Sequence, residues 1–552
     1  MRILSVLLVL ACASTAALGQ TYSATNSAPK TTNAPANVRQ LSLEDCVQLA
    51  LQHNLDLQID RYNPEISLYN LRADFGAYDP TFSFSGQHDH SEAGAQLLSG
   101  GFTVPGSKQD DESFSSSLSG LMPWGTTYNL GLTRLIDTYG NTPTTQINFA
   151  QPIGFTTNFY TEVNTLTTVG LRTTNYAPIL GGSTSFESSQ GAVGISLTQP
   201  LLRNFWIDSA RLTIRIAKNR LKYSELTLRL QLMQTITTLE QAYFDLIYYR
   251  ENLQVQQQAV TLAERLVVEN QKKLDVGTLA PLDLQSAQAQ LASTRATVIA
   301  AQSQLGTQER LVKSMITDQY SALWANTGLT PSGDLSASPP ILNLQDSWSR
   351  GLSERPELLQ AKLDVERLGI QLKYDQNQLL PEVDVFGSYG FNGSGTGNQN
   401  ELSDALYDIQ QMNRPFYTYG GKISIPLSNQ RARNAYKADK ANMQQLILTL
   451  KQLEQNTMIL IDNDIGTIRA NYQQVQATRD ARRYEEAALD AEQKKLENGK
   501  STTYTVLQVQ RDLTAARGNE IQALDSYNKS LSTLSQHEGS TLSRLKIKLE
   551  VK

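Results

Sequence analysis

One segment occurs twice in this chain, and its recurrence limits the possible folds more than any composition figure does. Lys272 to Arg295 reads KKLDVGTLAPLDLQSAQAQLASTR, and Lys494 to Arg517 reads KKLENGKSTTYTVLQVQRDLTAAR. At a constant offset of 222, Lys272, Lys273, Leu274, Gly277, Gln288, Leu291 and Arg295 return as Lys494, Lys495, Leu496, Gly499, Gln510, Leu513 and Arg517, and Asp275 becomes Glu497. Lysines before a Gly mark a helix C-terminus, where the cation suits the dipole and Gly can turn left-handed. Pro281 suits the opening turn of a following helix. Each copy therefore predicts the tip of a helical hairpin. A single αα-hairpin says little; a duplicated one implies a fold of two similar halves.

Other patterns recur as well. LSLEDCVQLALQHNLDLQIDR from Leu41 has helical spacing, with Ser42 as N-cap and Asp45 three residues on. NLQDSWSRGLSERPELLQAKLDVER from Asn343 repeats it at an offset of 301. Both lead through a second helical stretch into a Pro and an alternating strand: Pro80 precedes TFSFSG, and Pro381 precedes EVDVFGSY. Each half then offers a second strand ending in Pro, with Val193, Ile195 and Leu197 before Pro200 and Tyr417 to Ile425 before Pro426, now at an offset of 226. The first half therefore carries 75 extra residues between its strands (301 − 226 = 75). This insert, from about Gln87 to Ser189, is dense in Ser, Thr, Asn and Gly. Alternating pieces at Phe114–Leu118 and Tyr128–Leu132, around Pro123 and Gly125, fit one extra hairpin. A wholly disordered loop is the alternative.

The four repeated strands have one apolar, often aromatic face and one small or polar face. A half-buried soluble sheet alternates in the same way. In lipid, strands must close into a barrel, because an open edge leaves unpaired amides in hydrocarbon. Single-chain membrane barrels need about eight strands or more, so four per chain require several copies to share one barrel. The helices are unusual too. No Pro or Gly interrupts Asp208 to Leu274, and Leu232, Leu239, Leu246, Leu253, Val260, Val267 and Leu274 fall every seventh residue. Such a helix is about 100 Å long. Ile461, Ile468, Val475, Leu489 and Leu496 share one register in its counterpart from about Ala432, with Arg482 as the exception. Lengths of this kind suit a tube that spans a compartment.

Arg2, the apolar run Ile3 to Leu10 and Ala17-Leu18-Gly19 form a secretory signal peptide, with cleavage expected before Gln20. As a lipoprotein the chain would use Val9-Leu10-Ala11 and acylate Cys12, at the cost of a very short leader. Without Cys12, Cys46 has no intrachain partner. After the leader no run approaches the roughly 18 apolar residues of a membrane helix, so any crossing is by strands. The net charge of −5 and the lack of a basic tract argue against nucleic acid as a partner.

Together these pieces resemble the outer membrane efflux family, the TolC-like exit ducts of tripartite pumps and type I secretion systems. The resemblance is carried by LSLEDCVQLALQHNLDLQ, RPELLQAKLDVERLGIQLKYDQNQLLPEVDVFGSYG, the strand ends ISLTQPLL and ISIPLSN, and both tip segments, and it runs from Leu41 to about Leu534. It implies an α+β membrane protein: a homotrimer with a shared β-barrel in outer membrane lipid, a coiled-coil helical barrel across the periplasm, and an equatorial belt. Residues 1–19 would be the leader, 20–40 a lead-in, 41–342 the first repeat and 343–552 the second. The belt would hold Gln319 to Asn343 and the tail after Ser535. The partners implied are a periplasmic membrane-fusion adaptor and a proton-driven or ATP-driven inner membrane transporter, with no cofactor. By position, Val276, Gly277, Thr278, Asn498, Gly499 and Lys500 would face the adaptor. Some members narrow the duct with two Asp just past the second tip; here Thr505 and Gln508 stand in those places, while Asp283 remains in the first half.

Catalytic and cofactor motifs are missing: there is no phosphate-binding Gly loop, no G-x-S-x-G and no Cys/His set with metal-ligand spacing. His88-Asp89-His90, on an expected loop, is the one cluster that could hold a metal. Asp462 and Asp464 fit a solvated or lumen-lining helix face, and Trp206 fits either an interfacial anchor or a packed junction. A periplasmic coiled-coil scaffold or adaptor without a barrel is the rival from another class. A cell-envelope hydrolase ranks third, since no catalytic set supports it.

Overall fold

The computed structural model of the chain describes residues 38–98, 102–143, 152–160, 169–176, 183–277, 280–396 and 401–547. The predicted leader, most of the lead-in, Cys12 and Thr278 lie outside these residues. In chain order the elements begin with β1 (Val38–Leu41), α1 (Leu43–His53), α2 (Leu55–Asp74) and β2 (Thr81–Ala93). Next come β3 (Gln96–Leu98), β4 (Phe102–Val104), β5 (Ser107–Leu121), β6 (Thr127–Pro143), β7 (Pro152–Tyr160), β8 (Val169–Tyr176) and β9 (Ser183–Pro200). The first long hairpin is α3 (Ser209–Asp275) and α4 (Pro281–Ile316), followed by α5 (Ala322–Asn326) and β10 (Gly328–Pro331). Then follow α6 (Leu344–Glu354), α7 (Pro356–Gln378), β11 (Glu382–Thr396), α8 (Glu401–Gln411) and β12 (Pro415–Ser424). The second long hairpin, α9 (Gln430–Glu497) and α10 (Thr503–His537), leads to α11 (Thr541–Arg544).

Local chemistry sets these boundaries. Ser42 and Asp45 form a reciprocal capping box at α1. Asp208 caps the 67-residue α3 by accepting from the Arg211 amide at 2.7 Å. Each long helix runs past two shorter ones laid end to end, α2 and α4 against α3, and α7 and α10 against α9. At the first of these joints the Asn54 amide donates to the Met315 carbonyl at 3.1 Å.

The core lies at mid-height of the helices. Leu57, Leu232, Ile236, Leu239, Leu246, Ile316, Ile461, Ile465 and Ile468 are almost fully buried in one cluster with Val475 and Tyr527. The parallel pair β1–β10, with Val38 opposite Gly328, lies beside it. The Tyr243 hydroxyl donates to the Leu41 carbonyl at 3.1 Å, and the Tyr527 hydroxyl to the Ser338 carbonyl at 2.6 Å. At the tail, Arg544 Nη2 lies 2.6 and 2.7 Å from the two oxygens of Glu240, a fully buried carboxylate. The heptad of α3 holds only in this zone. Leu253, Val260 and Val267 are half-buried, and towards the tip Ala263 and Leu266 take over the buried seam.

The sheet departs from the sequence expectation. It has six strands, in the order β12-β11-β9-β6-β5-β2, where four were expected from the two halves. The piece of the insert read as an extra hairpin is β5–β6, and it lies within the sheet between β2 and β9. One residue row crosses all six strands: Phe82, Leu118, Leu130, Ile195, Tyr389 and Tyr417. The adjacent row, Thr81, Ser119, Asn129, Ser196, Ser388 and Thr418, points to the opposite face. The sheet is therefore apolar on one face and hydroxyl- and amide-lined on the other. Phe82, Tyr389 and Tyr417 are 70%, 51% and 74% exposed. In the single chain the sheet is open, with β2 and β12 as its edges.

Other expectations are corrected here. His88-Asp89-His90 is not on a loop, because β2 continues to Ala93. Alternation puts both histidines on one face with Asp89 on the other. His90 Nδ1 lies 2.5 Å from Asp110, and His88 Nδ1 lies 3.8 Å from Glu112. Asp464 does not line a solvated face: its carboxylate lies 2.5 Å from His537 Nδ1. Trp206 is 75% exposed, with the edge of Phe205 at a centroid distance of 5.0 Å, which sets aside the packed junction.

Below the sheet, Asp375 of α7 lies beside Asp439 of α9 and accepts from Gln371 at 3.1 Å. Burial, followed by the neighbouring Asp439, pushes its carboxyl up from 3.8 to about 6. The folded chain therefore holds a proton that the unfolded chain releases, so this contribution is complete below pH 3.8 and is lost as pH rises through about 6. Asp375→Asn is expected to raise stability by on the order of 1 kcal/mol above that window and by much less near pH 4. Thermal melts at the two pH values check this, and equal gains would exclude the coupling.

Candidate functional site

The candidate site is the pair of hairpin turns at the end of the molecule away from the sheet. In the first, the Val276 amide donates to the Lys272 carbonyl at 3.2 Å and the Gly277 amide to Leu274 at 2.8 Å. Gly277 has φ 78°, the left-handed conformation that ends a helix most cheaply at Gly. In the second, the Gly499 amide donates to Leu496 at 3.1 Å and the Lys500 amide to Lys495 at 2.8 Å, with Gly499 at φ 70°. The Asn498 side chain donates to the Lys494 carbonyl at 2.7 Å. Val276, Gly277, Asn498, Gly499 and Lys500 are all exposed. Two apolar side chains that sequence reading did not single out, Leu282 and Tyr504, stand beside the turns at 71% and 66% exposure.

Of the residues expected at a constriction, Asp283 is half-buried in the first turn of α4. The Thr505 amide donates to Thr502 Oγ1 at 3.3 Å, and the two hydroxyls lie 2.9 Å apart, so Thr505 serves the cap of α10. Gln508 is exposed.

A polar clasp lies about three to four turns above the tips. Arg295 Nη2 meets Glu264 at 2.8 Å, and Arg517 Nη2 meets Glu486 at 2.8 Å. The two pairs are related by the same offset of 222 residues (486 − 264 and 517 − 295). The second pair makes one contact more: Arg517 Nη1 donates to Gln258 Oε1 on α3 at 2.9 Å, tying the second hairpin to the first. Arg482, the break in the α9 heptad, pairs with Glu486 at 3.2 Å and also with Glu520. The hydrogen bond from Arg517, then the charge of Arg482, holds the Glu486 carboxyl below its ordinary range. Between the hairpins, Gln256, Gln290, Thr294, Gln510, Asn519 and Gln522 help to line a groove of about 380 Å³. Here hydrogen bonds and ion pairs add to a small apolar contact between the hairpins, Leu262 of α3 against the buried Leu489, Val506 and Leu513. The paired Arg was visible in the duplicated segment; Gln258 carried no signal in the sequence.

The outer membrane efflux protein family matches residues 154–316 and 348–540, which is more than half of the chain. The chain belongs to this family. It is 22% identical over 362 residues to outer membrane protein TolC of Vibrio cholerae serotype O1, covering 64% of this chain and 79% of that protein. It is 23% identical over 337 residues to outer membrane efflux protein BepC of Brucella suis biovar 1, covering 60% and 68%. Its fold is that of the outer membrane protein VceC of Vibrio cholerae, with a TM-score of 0.59 at 14% identity over 90% of this chain and 96% of the other. The chain is an outer membrane efflux protein, and solved structures described as outer membrane channels share its fold.

Proposed function

We propose that three copies of this efflux protein form one duct, crossing the outer membrane as a shared β-barrel and the periplasm as a helical tube. The observation that carries this is the apolar row across six strands, backed by a polar row, in a sheet whose edges are open. An apolar outer face and a wet inner face suit a membrane barrel, and lipid does not tolerate the open edges. The exposed Trp124 and Trp206, at the end of the sheet nearest the helices, suit an interfacial belt. The chain repeats its plan twice, from 41 to 342 and from 343 onward, so three chains give a tube of six similar units. Val276, Gly277, Thr278, Asn498, Gly499 and Lys500 dock a periplasmic adaptor. Asp283, Thr505 and Gln508 border the closed end, and transport is passive, driven by an inner membrane transporter of a tripartite pump or a type I secretion system.

Planar-bilayer recording of the purified protein tests this. Small single-channel steps from a heat-resistant trimer are expected, and they should change when Gly277 and Gly499 are replaced by Ala. At each Gly an added Cβ meets nothing within 4 Å, so the substitution costs only backbone strain, about 1 kcal/mol per turn. A protein that fractionates as soluble and conducts nothing would leave the periplasmic scaffold instead.

A further inference from the structure

We propose that the inserted hairpin β5–β6 is part of the barrel wall, so that three copies of this chain close an eighteen-stranded barrel (three times six strands) with a correspondingly wide, hydroxyl-lined bore. This rests on the trimeric duct proposed above and adds the width of its outer mouth.

Three observations carry it. First, β5 and β6 match the faces of their neighbours. Leu118 and Leu130 fill the apolar row between Phe82 and Ile195, and Ser119 and Asn129 fill the polar row between Thr81 and Ser196. A loop lying over the barrel would have no reason to keep this phase. Second, the hairpin turn is built into the joint between sheet and helices. Thr126 bonds to Gln199 at the end of β9, and Gly125, at φ 92°, sits where a Cβ would come within 2.6 Å of Arg211 Nη2. Arg211 Nη1 in turn donates to the carbonyls of Phe205 and Trp206 at 2.8 and 3.0 Å. Third, all pairings in the sheet are antiparallel, so an even count leaves its edges running in opposite directions. Edge β2 of one copy can then meet edge β12 of the next, and the ring closes without a parallel seam.

The consequence is geometric. With strands about 4.8 Å apart and tilted about 40°, eighteen strands make a wall roughly 36 Å across between backbones, against roughly 24 Å for twelve. The bore is about 1.5-fold wider, and its cross-section about twofold larger. Its inner face carries Ser83, Ser85, Ser115 and Ser117, which suits bulky hydrophilic cargo.

Cysteine pairs in the full-length protein test the proposal. Ser85→Cys with Ser115→Cys spans β2–β5, where the hydroxyls lie 2.7 Å apart; Asn129→Cys with Ser196→Cys spans β6–β9. Both pairs are expected to form intrachain disulfides in outer membrane trimers under mild oxidation. Neutral polymers added from the barrel side should enter up to a radius about 1.5-fold above that of a twelve-stranded bore. A membrane trimer in which neither pair links, with the narrower polymer limit, overturns the wide barrel and leaves the duct standing. A protein that forms no membrane trimer overturns both.

Discussion

In the proposed duct, replacing Arg517 with Ala is expected to open the closed end. The guanidinium holds Glu486 within its own hairpin and Gln258 on α3, so its loss removes this polar tie and leaves the packing of Leu262 against Leu489 and Leu513 to join the hairpins. At a partly exposed site the clasp contributes about 1 kcal/mol per chain. Three chains moving together would shift the closed-to-open ratio by about a hundredfold. Conductance in a planar bilayer should rise accordingly. Arg295→Ala is the matched control, because the bond from Arg295 to Glu264 stays within one hairpin. If the two variants conduct alike, Arg517 is no clasp. The depressed Glu486 carboxyl sets the pH sign: its contribution is present above the ordinary carboxylate range and is lost only as pH falls through the lowered value. Acid should therefore loosen the tip only below the ordinary carboxylate range.

Arg544→Ala should be the most destabilising single change at the level of the equatorial belt. It strips both bonds from the Glu240 carboxylate, which has no exposed surface. The Arg544 side chain is itself 41% exposed, so the cost, about 2 kcal/mol, comes from leaving the buried Glu240 charge without compensation. The protein is expected to melt several degrees lower. Adding Glu240→Leu should return much of the loss, since the stranded charge goes with it. A double variant as unstable as the single would mean that tail packing, not the ion pair, is what the arginine supplies.

Much of this architecture is legible from local chemistry. Ser42 and Asp45 cap α1 through side chains three residues apart, and Gly277 and Gly499 end their helices where a left-handed residue follows lysines. Such signals lie within one turn of chain. What escaped the sequence depends on distant neighbours. Phe114–Leu118 fits a hairpin strand, yet only Phe114 and Leu118 interrupt its serines and a disordered loop fits as well; pairing with β2 and β6 decides for the strand. Arg482 looks like a fault in a heptad until Glu520 arrives from α10 to meet it. Leu253, Val260 and Val267 keep the spacing of a seam yet stay half-exposed in the single chain. Gln258 is one of three consecutive glutamines, and nothing in that run marks which one meets Arg517.

The long helix α9 is gripped by the core around Ile461 to Val475 and continues without a break to Glu497. From Ile461 to the tip it is roughly 54 Å long. It thus works as a lever with its fulcrum at this core: a tilt of about 5° there moves the tip by roughly 5 Å. Small repacking beside Tyr527 or Ile468 is therefore magnified at the tip, and in the proposed duct the closed end would be governed from far away.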